Sequence, residues 1–266
     1  MKALKKDLHR QLRHLTFAFI TALLSACGGQ GDVVAAPDAD GFASWSIEKR
    51  PSQFSSLWSC VPHTDWGLPS VNVDLLCREG YAAGHDPETK GPRWVIERLT
   101  LSNFSGPAQR KDNFRADPDL AKGRRAELAD YSGSGLDRGH MAAAANMVFS
   151  QRAMDESFYL SNMVPQNPGL NRGQWARLEE EVRSWVSKRE TLYVITGPVF
   201  RTNRVIGDSS VRVPDALFKV IFDPLRRQGI AFLIPNETVD RFDATIYRVN
   251  IEEIETQTGL KLLSSR

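Results

Sequence analysis

The sequence predicts an α+β domain built on a central, largely antiparallel sheet flanked by helices, and three observations predict it. Four runs rich in β-branched and aromatic residues, 93–99, 191–200, 217–223 and 229–235, fall near one another along the chain. One stretch after Gly173 repeats apolar residues at spacings of three and four. Between residues 137 and 171 the pattern reads strand, connection, strand, loop, helix start, a β-β-α arrangement.

Each element has a local reason. "RWVIERL", "TLYVITGPVF", "LFKVIFD" and "GIAFLIP" fit a pleated, half-buried surface, and Pro/Gly punctuation separates them. Trp175, Leu178, Val182, Trp185 and Val186 share one helical face over about four turns, while Glu179, Glu180 and Arg183 point mostly elsewhere. "DRGHM" follows the turn-rich "YSGSGL", "FYLSNM" at 158–163 is strand-like, and the helix is expected to begin around Asn171. Such a scaffold can bring His140 from its first strand and a polar ligand at its helix start to opposite sides of one phosphate.

The N-terminus is read separately. Residues 1–26 combine a basic segment with an uncharged apolar run from Leu15 to Leu24, as in a secretory signal. That run is well short of the ~20 residues needed for a membrane span. "LLSAC" resembles the lipobox of bacterial lipoproteins, which makes Cys27 the lipidation point and anchors the protein to a membrane. The resemblance implies a bacterial cell-envelope location, at the periplasmic face or the outer membrane. Residues 27–55 then serve as anchor cysteine and flexible tether, and 56–266 as one catalytic domain. Removing residues 1–26 takes away five basic residues and one acid, so the net charge of +2 becomes −2. Global charge therefore offers no support for nucleic-acid binding, and any phosphate affinity must be local.

Two cysteines remain, Cys60 and Cys77, in a domain expected outside the reducing cytosol, where they would pair as a disulfide; the alternative is two free buried thiols. No C-x-x-C occurs, and only His63, His85 and His140 follow the signal segment, which argues against a zinc site.

"DRGHMAAAAN", "FYLSNMVPQNPGLNRGQWARLE" and "VITGPVF" resemble the motifs of the sugar-nonspecific DNA/RNA endonucleases, and the similarity runs from "DWGLP" at Asp65 to "IEEIETQTGLKL" near the C-terminus. The resemblance implies the β-β-α metal fold and phosphodiester cleavage with one magnesium ion, manganese being the alternative metal. It also implies roles. His140 matches the general base, Arg138 a phosphate-proximal arginine, Asn171 the sole protein ligand of the metal, and Glu179 an acid that positions water at the metal. Asp137 orients the motif. A further arginine upstream is common in the family, and Arg110 and Arg115 both stand as candidates.

The chemistry agrees with those roles. A histidine with an ordinary pKa near ~6.5 can accept a proton from water at neutral pH. Magnesium favours oxygen ligands and retains several waters, so one amide carbonyl can anchor it. Arginine suits phosphate oxygens. Ala142 to Ala145 either leave room for substrate or pack tightly, and Asn146 and Asn162 are expected to hold loops through side-chain to backbone hydrogen bonds.

The functional reading is a magnesium-dependent endonuclease acting on DNA and RNA with little base preference, since phosphate contacts carry little sequence information. The alternatives are a phosphodiesterase restricted to single strands or RNA, and an inactive nucleic-acid-binding lipoprotein. A homodimer and an inhibitor protein are further partners compatible with the sequence.

Overall fold

The structure, a computed structural model, describes residues 36–45, 60–69, 72–239 and 243–262. The four β-rich runs form the long strands β4 (Gly91–Thr100), β7 (Thr191–Val199), β10 (Ala216–Asp223) and β11 (Gln228–Pro235). With β1 (Ala43–Ser44), β2 (Asp74–Cys77), β3 (Ala82–Asp86) and β12 (Arg248–Val249) they make an eight-stranded sheet in the order β1-β11-β10-β7-β4-β3-β2, with β12 beside β11. Every pairing in it is antiparallel.

Period-two alternation splits each long strand between two cores. Val95 and Leu99, Leu192 and Val194, Leu217 and Ile221 face helix α2 (Ala176–Arg189) and its Leu178, Val182 and Val186. Trp94 and Ile96, Tyr193 and Ile195, Phe218 and Val220 face the other way, with Ile251 and Ile254 of α3 (Ile251–Thr258). The predicted apolar stripe of α2 is therefore core, with Trp175 and Val186 almost fully buried.

On the α2 side a second, two-stranded ladder pairs β5 (Asp137–His140) with β6 (Met163–Gln166). Here the sequence reading needs correcting. Residues 158–163 are not a strand up to Asn162. They pass through a 3-10 turn at Leu160–Asn162, and pairing starts only at Met163. The cause is Asn162, whose amide accepts from Ala142 N at 2.9 Å and donates to the carbonyls of Ala142 and Ser157, both at 2.9 Å. Those bonds fold the backbone into a turn that a strand could not make. A short helix α1 (Gln151–Ser157) and a small β8–β9 ladder (Val205–Ile206 with Val211–Arg212) complete the set.

The folded part also begins before residue 56. Within the segment read as tether, Phe42 is fully buried against Trp185, and β1 pairs with β11. Asp38 closes the turn before β1 by accepting from Asp40 N and Phe42 N. A single buried aromatic amid small polar residues gives too weak a period to stand out. The signal segment and Cys27 lie outside the described residues. Cys60 and Cys77 are joined as a disulfide, Cα atoms 4.8 Å apart, tying the segment before β2 to that edge strand.

Candidate active site

The β5–β6 ladder needs backbones in close contact, and Gly139 supplies it: a Cβ there would collide with the Gln166 side chain across the ladder. Either side of this glycine, Arg138 and His140 project into a cleft of 390 Å³ with Asp137, Asn171, Arg110, Asp112, Phe114 and Leu128. Five of the residues singled out by sequence, Arg110 among them, thus meet at one place.

The ring of His140 lies edge-on to Phe158 at 5.0 Å and tilted against Phe114 at 5.6 Å. Its Nε2 is sequestered from solvent and has no hydrogen-bond partner among the described residues. Burial foremost, then the positive charges of Arg110 and Arg138 against the opposing pull of Asp112, hold its pKa down to about 3. At neutral pH the imidazole is neutral. Arg138 stacks over Phe114 at 4.3 Å and makes no hydrogen bond or ion pair among the described residues. Its charge faces the cleft.

Asn171 sits in a π-helical turn, Leu170–Trp175, that precedes α2; such turns recur at functional sites. The helix does not start at Asn171. Asn167 performs that task, its Oδ1 accepting from Gly169 N at 2.8 Å and Leu170 N at 3.2 Å. Asn171 is thereby released from capping. Its Nδ2 donates to Asp137 Oδ2 at 2.9 Å, and Arg172 grips the same carboxylate with Nε at 2.8 Å and Nη2 at 2.6 Å. Burial would raise the pKa of Asp137, but these bonds hold it below the usual carboxylate range. With its nitrogen committed, Asn171 has its carbonyl oxygen left as the free end. Among the described residues no group of three His, Cys, Asp or Glu side chains could enclose a metal. One amide oxygen beside acid-held polar groups fits a hydrated hard cation and not a zinc cage.

Not every expected residue reaches the cleft. Glu179 on α2 is half-buried and is not among the residues lining the cleft, though it lies in the field of Arg110, which is. Burial raises its pKa against the attraction of Lys219, Arg183 and Arg110. Asn162 is fully buried and serves the turn described above. Ala142 to Ala144 are packed in the interior, so this part of the alanine run is close packing, and only Ala145 is exposed. Asn146 differs from expectation in its partner: its Nδ2 donates to the carboxylate of Glu97 at 2.8 Å, not to backbone.

Between the two upstream arginines the structure distinguishes. Arg110 lines the cleft, held to Asp112 at 2.7 Å. Arg115 is turned away, bonded to Asn113 O at 2.9 Å and stacked on Tyr159 at 4.2 Å. Two buried charges escaped the sequence reading altogether. Lys219 on β10 donates to Thr196 Oγ1 on β7 at 2.8 Å and lies 4.6 Å over the Trp175 ring. Glu97 on β4, pushed up to about 7 by burial despite the pull of Lys219, forms a layer with Lys219, Glu179 and Arg183. A larger groove of 770 Å³ follows β2, but its cations are already paired, Arg78 with Asp117 and Asp119, Arg124 with Asp74, and it offers no free base.

Comparison with known proteins agrees with this geometry. Residues 63–265 match the profile of the DNA/RNA non-specific endonucleases. The chain belongs to the DNA/RNA non-specific endonuclease family. It is a nuclease, a phosphodiester hydrolase, of a metal-dependent family whose members act on DNA and RNA without sequence choice. Human mitochondrial endonuclease G is 41% identical over 211 residues, which span 73% of this chain and 71% of that protein. The mitochondrial nuclease of Saccharomyces cerevisiae is 38% identical over 223 residues, spanning 74% and 68%. A solved chain from the crystal structure of the EndoG/EndoGI complex superposes with a TM-score of 0.71 at 28% identity, covering 80% of this nuclease and 93% of that chain. These relatives correct one expectation. The human and the yeast nuclease are named as mitochondrial proteins, which points away from the expected bacterial cell-envelope location.

Proposed function

We propose that this endonuclease hydrolyses DNA and RNA backbones with His140 as general base, Arg138 and Arg110 as phosphate contacts, and Asn171 as the protein ligand of one magnesium ion. The observation that carries the reading is the neutral ring of His140 in the same cleft as Arg138, which has no hydrogen-bond partner among the described residues, and Asn171, whose Nδ2 is taken by Asp137. A neutral imidazole can accept a proton from the attacking water once a bound phosphate offsets the charges of Arg110 and Arg138 that help hold its pKa down. Arg138, rigid on Phe114, donates to the phosphate oxygens as negative charge builds on them. Arg110 adds a second positive charge from the facing loop. When bound, magnesium would neutralise the phosphate and assist departure of the 3′ oxygen, and manganese suits the same oxygen donor. Asp137 holds Asn171 in place, and Glu179, in the field of Arg110, would orient water at the metal.

Nothing in this apparatus reads base edges, so broad substrate use follows. The EndoG/EndoGI complex concerns a protein in an inhibited state; by analogy, an inhibitor protein of this nuclease would cover the cleft.

The test is His140→Ala, assayed on plasmid, single-stranded DNA and RNA with and without magnesium. Turnover should fall by roughly 10² to 10⁴ on all three, the usual worth of a positioned base. Wild-type turnover in the folded variant would show the histidine to be structural, and cleavage by the wild type of single strands or RNA alone would favour the restricted phosphodiesterase.

A further inference from the structure

Asn171 is useful to a cation in only one of its two amide orientations. Oxygen and nitrogen ends of the group have nearly the same shape, so sterics do not choose between them; hydrogen-bond partners do. The chooser here is Asp137, whose ionised carboxylate can only accept. It takes the Nδ2 hydrogen at 2.9 Å. Turned over, Asn171 would press its carbonyl oxygen against that carboxylate and offer N–H groups to the cation.

Asp137 must itself be fixed for this choice to hold. Arg172 does so with a two-pronged contact, Nε to Oδ2 and Nη2 to Oδ1 at 2.8 and 2.6 Å. Adjacent residues on a regular α-helix do not face a common point. In the π-helical turn Leu170–Trp175, Asn171 and Arg172 both reach the one carboxylate, and Oδ2 receives from each. An exposed ion pair of this kind, with the Arg172 side chain 73% accessible, adds little to folding. Its geometry nonetheless matters, because only a planar guanidinium locks both oxygens of a carboxylate together.

We infer that Arg172 is a positioning residue that, through Asp137, orients the amide of Asn171 so that its oxygen faces the cleft. The inference rests on the reading of Asn171 as the metal ligand and adds a residue that works at one remove from it. Partners of this outer kind set ligand orientation and cation affinity.

The experiment uses the full chain as wild type, Arg172→Gln and Arg172→Lys. The side-chain amide signals of Asn171 are followed by nitrogen-15 NMR without metal and during titration with magnesium chloride, and plasmid cleavage is measured across magnesium concentration. In Arg172→Gln the metal-free amide signal should move toward that of a solvent-exposed asparagine. The magnesium needed for half-maximal cleavage should rise by about tenfold, with turnover at saturating magnesium and the unfolding temperature close to wild type. Arg172→Lys, which keeps the charge and loses the fork, should fall between. An unchanged amide signal with unchanged magnesium dependence would overturn the inference, as would a variant whose only defect is weaker binding of DNA. If magnesium does not perturb Asn171 in the wild type, the ligand reading falls by itself, and the metal-free amide signal alone decides whether Arg172 orients the side chain.

Discussion

Two arginines in this nuclease stand on phenylalanine rings and meet opposite fates. Arg189, at the end of α2, lies 3.7 Å over Phe42 and is surrounded by acceptors: Asp223 at 3.0 Å, Gln228 at 3.1 Å and Asp38. Arg138, in the cleft, lies 4.3 Å over Phe114 and has no hydrogen-bond partner or ion pair among the described residues. Both contacts give a cation a rigid platform. In one, both terminal nitrogens are spent inside the protein, tying the segment before β1 to the sheet. In the other the same hardware is left open, in the cleft that His140 also lines. A folded chain rarely leaves buried or half-buried polar groups unmatched. A guanidinium left open in a cleft, more than the presence of charge, separates the catalytic region from the structural one.

The contrast breaks first, and most visibly, by exchanging each arginine for methionine. Arg189→Met takes a charged partner from Asp223, which keeps Arg226 and two backbone N–H groups, and from Asp38, and should cost about 3 kcal/mol, the low end for breaking a buried pair. Cleavage by the protein that remains folded should be unaffected. Arg138→Met should leave unfolding within about 0.5 kcal/mol of wild type. It removes a charge-assisted contact worth about 1.5 to 3 kcal/mol, so turnover should drop about tenfold to a hundredfold. Denaturant unfolding and plasmid cleavage on both variants check the pair, and matching profiles for the two would erase the distinction.

A smaller effect sharpens it. The layer of Glu97, Lys219, Glu179 and Arg183 lies between the two extremes, buried yet incompletely matched, with Arg183 Nη1 and Asn146 Oδ1 lacking partners among the described residues. Lys219→Met should destabilise by only about 1 to 3 kcal/mol, because Glu97, already near neutrality, can take up a proton and cancel the surplus negative charge. Denaturant unfolding as a function of pH checks this, and a cost at neutral pH as large as that of Arg189→Met would show that no such relief exists.

Legibility in the sequence followed the same division. The long strands were plain because β-branched and aromatic runs leave few other conformations, whereas β2 (DLLC) and β3 (AAGHD) were missed because alanine, glycine and acids carry no strand signal. In the cleft, Asp137, Arg138, His140 and Asn171 were found because a motif holds them close along the chain. Glu97 and Lys219 come from separate strands and meet only through register: Thr196 is paired with Val95 on one side and Lys219 on the other. A signal for them did exist. In "VIERL" and "FKVIF" a lone charge occupies an alternate position otherwise apolar, sharing a face with Val95 and Leu99 or with Leu217 and Ile221. The choice of Arg110 over Arg115 was not legible, since both flank one loop and only the folded backbone turns them apart.

The central claim is that His140 is an unspent neutral base, and its own titration tests that most directly. Protonation is favoured in the unfolded chain below about pH 6.5, while burial and the neighbouring arginines hold the folded ring neutral until about pH 3. The folded state should therefore lose stability as pH falls through that window, and the free base should remain available above it. Following the His140 ring by NMR in the metal-free nuclease, the account predicts no protonation between about pH 7.5 and pH 5. Protonation with a midpoint near ~6.5 would contradict it, showing a solvated histidine in place of the sequestered base.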